Sequence, residues 1–237
     1  MMKVDLHIHS IASRHAFNTI LEIAQYAASH KLEAVAITDH GPAIEDVSPS
    51  YFYLLRRVPS EISGVHILKG CEANIIDQEG NIDISEKNQA SLDIVLLGLH
   101  GLPALPGDLS PMGNTNLIIK ALEKNHIHIL AHPYRPNFPV EMPALFAACQ
   151  RLGVLMEINL STLKSNSQDA GLLDNLKLLV DLSLANKTKI VINSDAHFVT
   201  EIADDSILSV LPFTIPSEII LGANGYQEVA EFLKIKK

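Results

Sequence analysis

Seven short apolar runs recur along this chain, and their spacing is its strongest constraint. They are VDLHI (4–8), AVAITD (34–39), VHILKG (65–70), DIVLLGL (93–99), IHILAH (127–132), VLMEIN (154–159) and KIVINS (189–194). Each is rich in Val, Ile and Leu and lacks clean apolar–polar alternation. Strands buried on both faces read this way, which points to a parallel sheet. Amphipathic segments fill the gaps. TILEIAQYAASH (19–30) places Ile20, Ile23, Ala24 and Ala27 on one face, with Thr19 and Glu22 spaced as a capping box. NLIIKALEKN (116–125), PALFAACQRLG (143–153), GLLDNLKLLVDLSLAN (171–186) and YQEVAEFLKI (226–235) are further helices, with Gly153 a natural C-cap. ANIIDQEGNIDIS (73–85) reads as a hairpin around Glu79-Gly80-Asn81, while the segment 41–60 gives no clear pattern.

Seven strand–helix units in series, each of about thirty residues, require right-handed crossovers and favour closure. The expected fold is α/β, a distorted TIM-like (β/α)7 barrel forming one domain over residues 1–237. An open doubly wound sheet is the alternative, weakened by the lack of a Gly-rich loop after the first strand. The chain's 237 residues at 47% apolar composition suffice for one sizeable core.

Composition narrows the function. A net charge of -9 argues against binding nucleic acid or an anionic membrane with the surface at large. Trp is absent and aromatics make up 5%, so stacking platforms for single strands are not advertised. Two unrelated cysteines, Cys71 and Cys149, fit a reducing compartment. No signal peptide or membrane span is expected, and a cytoplasmic location follows.

The polar residues at the strand ends carry the chemistry. The first strand ends with His7 and His9, followed by His15. The second runs into TDH with His40, and the third into CEAN with Glu72. The fourth ends GLH with His100, the fifth AHP with His132, and the seventh NSDAH with Asp195 and His197. In a parallel barrel all these ends open on one face, where catalytic groups collect. Residues i and i+2 of a strand share a face, so His7 and His9 can reach one ion while Ile8 points to the helix layer. Imidazoles with carboxylates suit zinc, iron or manganese.

This series resembles the PHP (polymerase and histidinol phosphatase) family, most closely its stand-alone bacterial phosphoesterases. The resemblance rests on DLHIHS, His15, TDH, GCE, GLH, AHP and NSDAH, and it runs in order over nearly the whole chain. It implies a trinuclear centre of three divalent ions, zinc first, with manganese or iron as alternatives. His7, His9, Glu72 and Asp195 would hold one ion. Glu72 would bridge to a second, held also by His100 and His132, and His15, His40 and His197 would hold the third. The implied activity is hydrolysis of a small phosphorylated metabolite by a metal-activated hydroxide. Two alternatives stand beside it: a metal-dependent amidohydrolase, and a metal-loaded regulatory module without turnover. Amidohydrolases also use H-x-H but place the bridging residue after the fourth strand, where this chain has His100.

Neighbouring residues carry open readings. Asp39 is a catalytic candidate that either orients a ligand or shuttles protons. Arg135 is the second, as a phosphate clamp, although for it as for Arg14 the solvated surface cation is the favoured reading. Asn159 either contacts substrate or caps a helix. Glu157 reads as a buried supporting group rather than a ligand. His126, His128, His30 and His66 lie off the predicted face, and Cys71 points into packing. The 75–84 hairpin is a candidate for shaping the pocket mouth.

Overall fold

A computed structural model describes residues 2–44, 46–102, 105 and 110–235 of the chain. Its frame is a parallel sheet of seven strands: β1 (Val4–Ile8), β2 (Ala34–Ile37), β4 (Val65–Asn74), β5 (Ile94–Gly98), β6 (Ile129–Leu130), β7 (Leu155–Asn159) and β8 (Val191–Asn193), hydrogen-bonded in that order. A two-residue strand, β3 (Glu61–Ile62), adds an antiparallel edge to β4. The sheet nearly closes on itself. Past the end of β8, Ile8 bridges Ala196 in parallel, with His9 N–H donating to Ala196 O and Asp195 N–H to His7 O, both at 2.9 Å. Lower on this seam side chains replace the ladder: Leu6 N–H donates to Asn193 Oδ1 at 2.9 Å and Ser194 N–H to Asp5 Oδ1 at 3.1 Å. The expected distorted α/β barrel is therefore the fold.

Alternation along the strands sorts the core into layers. Val4, Leu6, Ala34, Ala36, Leu68, Ile94, Leu96, Ile129, Leu155 and Val191 form one cluster from all seven barrel strands, which places it inside the barrel. Leu221 and Val229, the latter on α8 (Tyr226–Phe232), join it. The opposite faces pack under the helices. Ile8, Val35, Ile37 and Ile67 meet Ile23, Ala24 and Ala27 of α1 (Ile20–Ser29). Val95, Leu97, Leu130, Met156 and Ile158 share a large cluster with α4 (Pro111–Lys124), α5 (Met142–Leu152) and α7 (Ala170–Asn186). Among the described residues no helix is long and apolar enough to cross a membrane.

Local signals explain most boundaries. The Thr19–Glu22 capping box forms, and α5 ends on Gly153 at φ 71°. Where sequence and structure part, the mouth of the barrel is the reason. β4 runs on through GCEAN because Glu72 and Asn74 turn inward there beside the histidines, so polar residues extend a strand that the apolar run alone ends at 70. β6 shrinks to two residues, for the chain reaches His132 at φ 35°, outside any strand conformation. The short helices α2 (Pro49–Leu54), α3 (Glu86–Gln89) and α6 (Leu160–Ser165), like β3, carry too little periodicity to be read from sequence.

Candidate metal centre

The site begins with a bulge. β1 pairs Asp5 with Val35 and Ile8 with Ile37, three steps on one strand against two on the other. The extra residue resets the alternation. Leu6 stays in the apolar interior, yet His7, its direct neighbour, also faces inward. His9 follows on the same side and Ile8 turns to the helix layer. The displaced backbone is satisfied by side chains, with Ile8 N–H donating to Thr38 Oγ1 at 3.1 Å.

Glu72 stands at the centre of the imidazoles and its two oxygens divide them. Oε1 lies 2.8 Å from His132 Nε2 and 3.4 Å from His100 Nε2. Oε2 lies 2.9 Å from His40 Nδ1, 3.3 Å from His7 Nε2 and 3.5 Å from His9 Nε2. Asp195 Oδ1 is 3.1 Å from His9 Nε2 and 3.5 Å from His7 Nε2. Among the described residues three groups bring ligand atoms within 4.8 Å of one another: His7, His9 and Asp195; His40, Glu72 and His100; and His9, His40 and His197. His15 joins the last group by ring contact, its centroid 5.0 Å from those of both His40 and His197. All nine residues read from the sequence as ligands therefore gather at the C-terminal mouth of the sheet.

The tautomers show what the cluster fits. His7 Nδ1 lies 2.8 Å from Glu157 Oε1, and His100 Nδ1 lies 2.7 Å from Asn74 Oδ1. His9 Nδ1 meets Ser13 Oγ at 3.0 Å, whose hydroxyl donates to Asp39 Oδ1 at 2.6 Å and so accepts from the ring. His197 Nδ1 meets Asp195 O at 3.0 Å. These acceptors assign the proton to Nδ1 in four rings and aim four Nε2 lone pairs inward. His7 and His9 then face each other with Nε2 atoms 3.1 Å apart, beside two carboxylates. Buried His40 Nδ1 lies 2.9 Å from Glu72 Oε2 without hydrogen-bonding geometry. Lone pairs and anionic oxygens converging in this way need cations between them, and imidazole with carboxylate is the donor set that zinc, iron and manganese accept.

Charge follows the same geometry. Burial alone raises a carboxylate, yet His7, His40 and His100 hold Glu72 well below its ordinary range. Asp195 is held down against burial by His7 and His9. Burial opposes protonation of His7, but Glu157, Asp195 and Glu72 together lift it well above the usual histidine value. Burial and Arg135 lower His132 to about 4.

The remaining sequence candidates resolve individually. Asp39 is fully buried and accepts from Ser10 N–H at 2.7 Å, Ser10 Oγ at 2.8 Å, Ser13 Oγ at 2.6 Å and Tyr51 OH at 2.5 Å. Its side chain reaches the site through Ser13, whose Oγ meets His9 Nδ1 and accepts from His40 N–H at 3.1 Å, and its backbone carbonyl accepts from Glu72 N–H at 3.1 Å. Arg135 lies on the rim, with Nη2 3.4 Å from Asp195 Oδ2 and Nε 3.4 Å from Thr162 Oγ1. Arg14 is exposed and donates to Asp46 O at 3.4 Å. Asn159 caps α6 through Thr162 N–H, and its amide also donates to Asp195 Oδ2 at 3.1 Å. His30 stacks on Tyr26, His66 on Tyr226, and His126 on His128 edge to face. Cys71 is buried in the outer cluster. The 75–84 hairpin forms, but its tip docks on α4, where Asn125 and Lys120 donate to Gly80 O and Gln78 O.

Sequence reading missed Ser13, Tyr51, Asn74 and Asn193, which hold the ligands in place. Apart from Ser13 with His9, their partners lie 12 or more residues away, and only the oxygen-bearing residue types beside the histidines hint at them. It also passed over Gly98. A Cβ there would come within 2.3 Å of His100 Cε1 and 2.8 Å of Glu72 Oε1, so the position admits only glycine while both remain in place.

Fold and site define a metal-binding α/β barrel. The PHP domain profile matches residues 5–159, and the chain belongs to the PHP family. It is 33% identical over 237 residues to a probable phosphatase of Thermoanaerobacter sp. strain X514, covering 99% of this chain and 95% of that protein. A probable phosphatase of Caldicellulosiruptor saccharolyticus is 32% identical, with 99% and 97% covered. Among solved structures, histidinol phosphate phosphatase of Lactococcus lactis, complexed with zinc, L-histidinol and phosphate, superposes with a TM-score of 0.57 at 14% identity, covering 98% of this chain and 93% of that one. A chain of archaeal ribonuclease P with mature tRNA gives 0.58 at 15%, with 97% and 90% covered, and shares the fold. The phosphatase-type function and metal-binding site expected from the sequence are thus supported.

Proposed function

We propose that the chain hydrolyses phosphate monoesters of a small metabolite at a trinuclear metal centre, with zinc the first-choice ion. The observation that carries this is the division of labour at Glu72. One oxygen faces His100 and His132, the other His7, His9 and His40. A carboxylate placed so can join two ions. His7, His9 and Asp195 complete the first position and His100 and His132 the second. His15, His40 and His197 supply the third, with His40 between it and Glu72. Bound divalent ions would supply an acidified water and the charge that neutralises phosphoryl oxygens.

The chain's own groups do the rest. Asp39 is a positioning residue, holding His9 through Ser13 so that Nε2 stays free. Arg135 is a partly exposed cation at the lip, its guanidinium fork free to rotate from Asp195 onto a substrate phosphate. Arg135→Ala is expected to lower kcat/KM by about 10- to 100-fold, the worth of one hydrogen bond between charged groups. Steady-state kinetics on a monoester checks this, and an unchanged kcat/KM removes Arg135 from substrate binding.

The function itself is tested by phosphate release from sugar, amino-alcohol and nucleotide monophosphates, before chelation, after it, and after zinc, manganese or iron is restored. Turnover that vanishes and returns with the ion is expected. Activity indifferent to chelation would refute the proposal.

A further inference from the structure

β7 is the one barrel strand that offers no ligand, yet it carries a carboxylate at the mouth that accepts four hydrogen bonds. Glu157 is fully buried. Its Oε1 accepts from His7 Nδ1 and from Asn193 Nδ2, each at 2.8 Å. Its Oε2 accepts from His132 N–H and Asn159 Nδ2, each at 2.9 Å. Each oxygen has two lone-pair directions, so four donors fill the carboxylate. No direction is left for an ion, and the donors come from β1, β7 and β8 and from the residue that ends the β6 turn.

Two of these donors bear on the ligand set. His7 keeps its proton on Nδ1 because Oε1 can only accept, and this leaves Nε2 bare toward Glu72 and Asp195. His132 adopts φ 35°, a left-handed conformation that residues other than glycine rarely take, and its N–H is anchored on Oε2. Neither His40 nor His197 is among these four donors.

We infer that Glu157 is a positioning residue that serves two of the three proposed metal positions at once, setting the tautomer of His7 for one and the backbone of His132 for the other, while the third position stands free of it. This rests on the trinuclear reading above. Glu157→Gln separates the roles because the side chain keeps its shape. An amide nitrogen in the place of Oε1 donates to His7 Nδ1, which forces the ring proton onto Nε2, into the metal position. In the place of Oε2 it opposes the N–H of His132 and the amide of Asn159. Either orientation damages one position, and exchange between them damages both.

The test is zinc titration of the full chain against a chromophoric chelator, with elemental analysis at fixed free zinc. E157Q is expected to bind at the two Glu72-linked positions about 10- to 100-fold more weakly, so that its content falls from about three ions per chain toward about one. The remaining ion should bind with unaltered affinity. Equal weakening at all positions, or none, overturns the inference. If E157Q does not fold, long-range proton–nitrogen NMR of the zinc-loaded wild-type chain decides, with His7 assigned by its absence in His7→Asn. A proton on Nδ1 supports the inference and a proton on Nε2 overturns it. Wild-type protein that takes up no zinc refutes the trinuclear reading itself, whereas normal wild-type uptake with an unaffected E157Q refutes only the role of Glu157.

Discussion

Glu72→Gln should reduce turnover on any phosphate monoester by on the order of 1000-fold, equivalent to several kcal/mol of lost transition-state stabilisation. The size follows from where the side chain sits. Its two oxygens divide between the two imidazole sets, His100 and His132 on one side and His7, His9 and His40 on the other. A glutamine keeps the shape but offers one oxygen and one amide nitrogen, and a nitrogen carrying two protons repels an ion. On the proposed trinuclear reading one of the two joined positions would be lost whichever way the amide turns, and the surviving ion would lack its neighbour's charge. Loss at a peripheral group would be milder, as the smaller effect expected at Arg135 illustrates. The measurement is kcat under saturating metal, with ion content determined on the same sample. A variant that keeps both full ion content and turnover within tenfold of the wild type would remove Glu72 from the centre of the mechanism.

The contrast between Glu72 and Glu157 also shows what was legible in the sequence. The gathering of the candidate ligands was legible because a parallel barrel collects strand ends, so His40, His100, His132 and Asp195 needed only the position of an apolar run to be placed. His7 and His9 needed only the two-residue period of a strand. The bulge in β1 was not legible. VDLHI carries no glycine or other local mark of an extra residue, and the side chains that replace its ladder, Thr38 and Asn193, lie 30 and 187 residues away. Roles decided by long-range hydrogen bonds were equally hidden. Asp39 beside His40 is a sensible proton-shuttle candidate on sequence grounds, yet its oxygens are taken up by Ser10, Ser13 and Tyr51, the last from a segment without any clear pattern. Asn159 took the helix-cap reading, and it also donates to Asp195 because one amide group offers an acceptor and donors at once.

Removing the metal should lower the melting temperature by about 8–16 °C. An ion held at a thousandfold excess over its Kd stabilises the folded chain by about 4 kcal/mol, and a chain near this length shifts by about 2–4 °C per kcal/mol. That figure is for one position, so occupancy of more gives a larger change. The pH dependence should differ between the two forms, and the sign can be worked out. In the metal-free chain burial would lower His7, but Glu157, Asp195 and Glu72 raise it well above 6.5, and His40 is raised chiefly by Glu72 against burial. A histidine raised in the fold contributes stability that is complete below 6.5 and is lost as pH climbs through its folded value. His9, lowered well below 6.5, and His132, at about 4, are neutral in both states above 6.5 and drop out. Metal-free protein should therefore melt at progressively lower temperature from pH 6.5 to pH 8. Metal-loaded protein should hold or gain stability over the same range, because ions displace protons from His7 and His40 and uptake becomes easier as protons grow scarce. Calorimetry of chelated and reloaded samples across that window checks both halves. Parallel pH profiles for the two forms would mean that no ion competes with protons at these imidazoles.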